Sequence, residues 1–163
     1  MDLSSFTVEE LLLVAIKSEI ESEKIYRETG NRVKNAFLKD RFNFLAGEEK
    51  NHESILRKFY KKEFGDKEII IPEKSSVPLP EVKVNTESDP ISEILEQSMK
   101  AELAAKEFYE DLAKKFSDAE TKNILKILSR MEQEHYNILN TEYENAKLFE
   151  DYDEIFPNAH MGA

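Results

Sequence analysis

The chain contains no cysteine, which excludes disulfides, cysteine-bound zinc, iron–sulfur clusters and thiol nucleophiles. Its chemistry must come from oxygen and imidazole. Only four glycines and five prolines occur in 163 residues, a scarcity of breakers that favours long helices and puts their ends where the breakers cluster. The longest apolar run, Leu11 to Ile16, is far short of the roughly 20 residues that cross a bilayer. The acidic amino terminus also lacks the basic start of a secretory leader. No membrane is expected as a partner, and the expected location is the cytoplasm. Positive charge is scarce as well: 23 Lys and Arg face 34 Asp and Glu, a formal charge of −11, which repels phosphate backbones. Nucleic acid is therefore not an expected partner.

What is present reads as one domain, 1–163, of four helices. The first opens at Thr7, where Thr7-Val-Glu-Glu10 has capping-box spacing, carries Leu12, Ile16, Ile20 and Tyr26, and stops at Gly30-Asn31. The second runs from about Val33 to Gly65, with Phe37, Leu38, Phe42, Leu45, Ile55, Leu56 and Phe59 in helical rhythm. Asp89-Pro90 predicts a cap and first helical position for the third, which passes Leu95, Met99, Leu103, Phe108 and Leu112 to end near Phe116. Ser117-Asp-Ala-Glu120 predicts a capping box for the fourth, which continues through Ile124, Leu128, Met131, Ile138 and Leu139 to about Phe149. The result is an all-α bundle: a hairpin over 7–65, a crossover loop over 66–88 with Pro72, Pro78 and Pro80, a hairpin over 89–149, and an acidic tail over 150–163. The loop is long enough to return the chain to the far end of the bundle, since extended residues advance about 3.3 Å each.

The two hairpins are copies. A shift of 83 residues, without a gap, superimposes Lys17 on Lys100, Glu19 on Glu102, Tyr26 on Tyr109, Leu45 on Leu128, Glu49 on Glu132 and His52 on His135. Each copy offers one Glu on its first helix and Glu-x-x-His on its second, and residues three apart project from one helix face. The midpoints of the Glu pairs are Lys34 and Ser117, both at turns, so each Glu comes level with its own Glu-x-x-His. A pseudo-twofold axis then gathers Glu19, Glu49, His52, Glu102, Glu132 and His135 at mid-bundle. Glu is 26 of the 163 residues, and a Glu both 3 and 33 residues before each of two His arises by chance roughly once in a thousand. Two divalent ions would balance four buried carboxylates, and carboxylate with imidazole suits iron, manganese or zinc better than calcium. One Glu from each of two helices and Glu-x-x-His from each of the others is the ligand pattern of ferritin-like di-metal bundles.

Leu45-Ala-Gly-Glu-Glu-Lys-Asn-His52 and Met99-Lys-Ala-Glu102 with Phe108-Tyr109 resemble the signatures of rubrerythrin-type members of the ferritin-like superfamily, over about residues 8 to 145. The resemblance implies a ferritin-like four-helix bundle with a di-iron site on the same six residues. It also implies reduction of hydrogen peroxide or dioxygen as Fe(II) is oxidised. Two departures stand out. The cysteine-rich module that feeds electrons to the site in full-length rubrerythrins has no counterpart here, so an external electron donor protein is expected. The additional carboxylate one turn beyond the third-helix ligand is replaced by Ala105 or Lys106. Ferritin-like iron storage, or a non-catalytic manganese or zinc bundle, are the rival readings.

Tyr26 and Tyr109 follow Glu19 and Glu102 by seven residues, on the same face one layer away. They read either as core or as hydroxyl donors and electron relays beside the ligands. Glu23, Glu48 and Glu134 read as solvated, and His160 as exposed. The long loop predicts a homodimer, with exchange of hairpins between chains as one route to it.

Overall fold

The computed structural model of the chain describes residues 2–155 apart from 75–76, 78 and 80–81, with side chains of the last helix to Leu148. Four helices follow in order, α1 (Val8–Arg32), α2 (Ala36–Phe64), α3 (Ile91–Ala113) and α4 (Ala119–Ile155). Each hairpin packs on itself, α1 on α2 and α3 on α4, and the hairpins meet through α1 with α3 and α2 with α4. The fold is thus the four-helix bundle that the repeat predicts.

Local chemistry sets the ends. Thr7 caps α1 in a full capping box, its side chain accepting from Glu10 N while the Glu10 carboxylate accepts from Thr7 N at 2.8 Å. Asn35 caps α2, its Oδ1 accepting from Phe37 N and Leu38 N. Gly65 closes that helix with φ of 65° and ψ of −134°, a positive-φ backbone that side chains strain to adopt. Lys34 and Ser117 both fall inside their turns, as the ligand spacing requires.

Several boundaries differ from the expectation. Gly30-Asn31 does not stop α1, which continues to Arg32. Gly30 is buried in the helix, and a Cβ there would lie 3.1 Å from that of Phe42. Its lack of a side chain permits close approach of α2 rather than a turn. The third helix has Pro90, not Asp89, as its N-cap residue, without a side-chain hydrogen bond. The Asp89 carboxylate instead accepts from Asn85 N at 2.6 Å and closes the turn before it. That helix ends at Ala113, short of Phe116. Asp118 rather than Ser117 caps α4, accepting from Thr121 N at 2.9 Å, so the cap and the amide it satisfies each fall one residue later than the Ser117–Glu120 spacing predicts. Finally, α4 runs to Ile155, so the first six residues of the acidic tail are helical; His160 lies outside the described residues.

The crossover lies along its own bundle. Ile69, Ile71, Val77 and Leu79 pack on an apolar cluster built around Leu12, Ile16, Leu56, Phe108 and Leu128. Val82 and Val84 pack on a second cluster built around Tyr26, Phe42, Leu45, Leu95 and Leu139. Ion and hydrogen bonds tie it to α1 at both ends, Lys67 to Glu9 at 2.6 Å and Thr86 to Glu28 at 2.7 Å. The Arg32 guanidinium also donates to the carbonyls of Thr86 and Asp89. The six candidate ligands fall between the two clusters in every helix.

Candidate metal centre

All six side chains predicted from the repeat converge. Glu19 comes from α1, Glu49 and His52 from α2, Glu102 from α3, and Glu132 and His135 from α4; each is less than 4% exposed. One ligand atom from each of Glu49, His52, Glu132 and His135 lies within 4.8 Å of the others. The arrangement is nearly symmetric. His52 Nδ1 is 3.3 Å from Glu49 and 3.0 Å from Glu132, and His135 Nδ1 is 3.0 Å from Glu49 and 3.2 Å from Glu132. Glu19 sits 3.6 Å from His52, and Glu102 3.8 Å from His135. The two imidazoles stack with centroids 5.3 Å apart.

These approaches are short but not aligned as hydrogen bonds. Among the described residues, the buried side-chain atoms without a hydrogen-bond partner are Glu49 Oε1, His52 Nδ1 and Nε2, Glu132 Oε1, His135 Nδ1 and Ser98 Oγ. All but the last belong to this cluster. An unpaired buried polar atom costs about 1–3 kcal/mol, and more when charged, so the folded chain concentrates lone pairs where only cations can satisfy them. The donor set of carboxylate oxygen and imidazole nitrogen fits divalent iron, manganese or zinc.

Electrostatics carries the same message. Burial pushes the Glu19 carboxyl well up, reinforced by the charges of Glu132 and Glu49. Burial does the same to Glu102, again with Glu49 adding to it. At Glu49, burial is outweighed by the facing His135 and His52, and the group is held well below its ordinary value. Glu132 is lowered too: burial and Glu49 push it up, but His135 and His52 prevail. Burial alone would lower His52, yet the carboxylates of Glu132, Glu19 and Glu49 lift it to about 12, and His135 is likewise raised by Glu102, Glu132 and Glu49 against its burial. Without metal, the cluster holds protons where positive charge is needed.

Two phenols bind the rim crosswise. The Tyr26 hydroxyl donates to Glu102 and the Tyr109 hydroxyl to Glu19, each reaching from one hairpin to the other. Both rings are also fully buried, so these tyrosines are at once core and hydroxyl donors. Burial, with the facing carboxylates of Glu102 and Glu19, keeps both phenols protonated as donors. Glu23 pairs with Arg27, Glu48 accepts from Asn51 at 3.3 Å, and Glu134 is exposed, so none of the three joins the cluster. Where a fifth carboxylate would stand, Ala105 is buried and Lys106 donates to Gln133. Ser98, one turn before Glu102, was not singled out by its sequence; the signal was its place in the repeat, where Ala15 is its mate.

A family model described as rubrerythrin matches residues 10–143. The chain belongs to the rubrerythrin family. The chain is also similar to two solved structures. A hypothetical protein from Pyrococcus furiosus is 36% identical, with TM-score 0.81, over 91% of this chain and 95% of that one. A candidate ferritin-like diiron-carboxylate protein from Thermotoga maritima is 26% identical, with TM-score 0.70, over 85% of this chain and 95% of that one. No curated protein matches. For this rubrerythrin-family chain, no helix among the described residues is long and apolar enough to cross a membrane.

Proposed function

We propose that this rubrerythrin-family chain is a di-iron carboxylate protein that reduces hydrogen peroxide or dioxygen. In this reading Glu19, Glu49, His52, Glu102, Glu132 and His135 hold the two ions. The observation that carries it is the convergence of four unpaired buried atoms, Glu49 Oε1, His52 Nδ1, Glu132 Oε1 and His135 Nδ1, where α2 and α4 face each other. Glu49 and Glu132 each face both imidazoles, and Glu19 and Glu102 each face one, so all six side chains would hold the metal. Iron bound there would supply the electrons for a two-electron reduction. The chain's own residues do the rest: they balance charge, exclude bulk water by burial, and fix the outer carboxylates through Tyr26 and Tyr109. Re-reduction falls to an external electron donor protein.

The test is metal analysis of protein purified without added metal, followed by anaerobic mixing of the Fe(II) form with peroxide. Two iron ions per chain are expected, with one peroxide consumed, two protons taken up and two waters formed for each two Fe(II) oxidised. Two bound zinc or manganese ions with no peroxide consumption would favour the non-catalytic reading. Iron far in excess of two per chain would favour storage.

A further inference from the structure

We infer that Ser98 determines which oxidant the centre takes, its hydroxyl forming a hydrogen bond with hydrogen peroxide beside Glu102; the inference rests on the di-iron reading above. Ser98 is 2% exposed, and its Oγ is the one buried hydroxyl among the described residues without a hydrogen-bond partner. Hydroxyls on helices ordinarily find a partner in the fold, often a carbonyl one turn back. Thr29 donates to the Ile25 carbonyl in this way at 2.7 Å, and Ser129 donates to Glu110 at 3.3 Å. Ser98 does neither, so its proton and two lone pairs stay free for a ligand.

The fold places that hydroxyl at the centre. Leu95, Ser98, Glu102, Ala105 and Tyr109 are buried along one stripe of α3, so Ser98 stands one turn from a candidate ligand on the same face. Arg32, at the end of α1, donates to the carbonyls of Thr86 and Asp89 just before α3, which sets these two helices antiparallel. Tyr26, after Glu19 on α1, and Ser98, before Glu102 on α3, therefore lie toward the same end of the centre. The Tyr26 proton is committed to Glu102; the Ser98 proton is not.

The approach to Ser98 is lined by small side chains. Lys106 and Glu110 turn toward α4, where they bond to Gln133 and Ser129. Ser98, Ala101 and Ala105 lie across the stripe from them, toward α1. Their repeat mates on α1 are Ala15, Ser18 and Ser22. Ser18, Ser22 and Ala101 are partly exposed, while Ala15, Ser98 and Ala105 are buried, so this seam leads inward past small groups and suits a ligand of two or three heavy atoms. On the other half of the centre Ala15 holds the place of Ser98, and only one half offers a hydroxyl. Hydrogen peroxide both donates and accepts hydrogen bonds, whereas dioxygen has no proton to donate and accepts weakly. A site built to hydrogen-bond its substrate discriminates against one that lacks the group, and Ser98 thereby favours peroxide.

The test compares wild type with Ser98→Ala, which deletes one oxygen. Metal-free Ser98→Ala should melt at or above wild type, because the lost hydroxyl has no protein partner. With iron loaded to equal content, optical titration with azide, a three-atom probe that accepts hydrogen bonds, should give a dissociation constant about tenfold higher for Ser98→Ala, the weight of one hydrogen bond. Oxidation of the Fe(II) form by peroxide should slow by about tenfold and oxidation by dioxygen should change by less than about twofold. Ser129→Ala, which removes a buried serine that has its own partner, should leave azide affinity as in wild type. Unchanged azide affinity in Ser98→Ala, an equal loss in Ser129→Ala, or peroxide and dioxygen rates that fall together would overturn the inference. So would a metal-free Ser98→Ala that melts clearly below wild type, since the hydroxyl would then serve the fold. Wild type that binds no iron would fail the di-iron reading itself, and the inference with it, at the metal analysis that precedes any addition of azide.

Discussion

The two hairpins agree at their centre and diverge toward their ends. At mid-bundle, Glu19, Glu49 and His52 are matched by Glu102, Glu132 and His135, and even the phenols pair crosswise as equals, Tyr26 with Glu102 and Tyr109 with Glu19. Away from it the same repeat positions hold Phe37 and Glu120, or Gly30 and Ala113. The capping also differs: Thr7 closes a full box at α1, while α3 begins at Pro90 with no side-chain cap. The difference follows from cost. A change in one buried ligand leaves the charges of five others uncompensated, whereas a change at a helix end is worth about 1 kcal/mol.

The largest effects should therefore come from the centre, and should be the same for either copy. His52→Ala and His135→Ala are each expected to lower metal content from about two ions per chain to one or fewer, since neither imidazole has a substitute nearby. Elemental analysis after gel filtration checks this. Full occupancy in both variants would falsify the six-residue site, and loss in only one would break its symmetry.

Next comes the metal-free protein, in which the matched carboxylates crowd one another. Glu19 and Glu102 have raised values when folded, so their contribution is full below about 4.5 and fades as pH rises. His52, raised to about 12, contributes fully below about 6.5 and loses that contribution across the alkaline range. Glu49 and Glu132 are depressed and act in the opposite sense, contributing above about 4.5 and failing below it. Thermal melts of the metal-free form should thus show stability rising as pH falls from 9 through 7 to about 5, then dropping below about 4. The metal-loaded form should weaken over the same descent, because protons compete for the ligands. A metal-free form that weakens steadily from 9 to 5 would sink the idea of clustered carboxylates.

The centre was legible in the sequence because its geometry is redundant: the Glu-x-x-His spacing, the 83-residue repeat and the midpoints at Lys34 and Ser117 all specify one point. The tyrosines were legible only in position, since a hydroxyl crossing between hairpins depends on the packing of α1 against α3, which no local pattern encodes. Helix ends were less legible, because neighbouring polar side chains offer caps one residue apart. Asp118 takes that role at Thr121 N where the spacing pointed to Ser117 with Glu120, and Asp89 turned to Asn85 instead of its own helix. Phe37 and Leu103 fit the helical rhythm of a core yet are exposed, since periodicity fixes a face but not whether anything covers it.

Smaller effects should come from the crosswise phenols. Tyr26→Phe and Tyr109→Phe each remove one hydrogen bond to a carboxylate, worth about 1.5–3 kcal/mol, while the ring remains as core. Matched losses of stability in the metal-loaded form are expected, read by thermal melts, with metal content kept. If either tyrosine only packs, its Phe variant will melt with wild type. Unequal losses would show that Ser98, present beside Glu102 but replaced by Ala15 in the other copy, makes the two halves different.

The smallest effect lies at the end of the hairpins, where the copies differ by one methyl group. Gly30 faces α2 at Phe42, and it and its mate Ala113 are both buried. Gly30→Ala gains up to about 1 kcal/mol from helix propensity. Against that, its Cβ would lie 3.1 Å from the Phe42 Cβ, inside the roughly 3.5–4.0 Å at which carbons pack. Phe42 is buried, and its Cβ is fixed to the backbone, so it cannot turn aside as a side-chain tip would. The clash should prevail, and Gly30→Ala is expected to lower stability by about 1 kcal/mol, within the range for overpacking. Ala113→Gly is expected to lower it by a similar amount for the opposite reason, a lost methyl and a less favourable helix residue. Denaturant titration of both variants separates the cases. A stabilised Gly30→Ala would mean that the hairpins leave the same room at this end and that their difference is one of sequence alone.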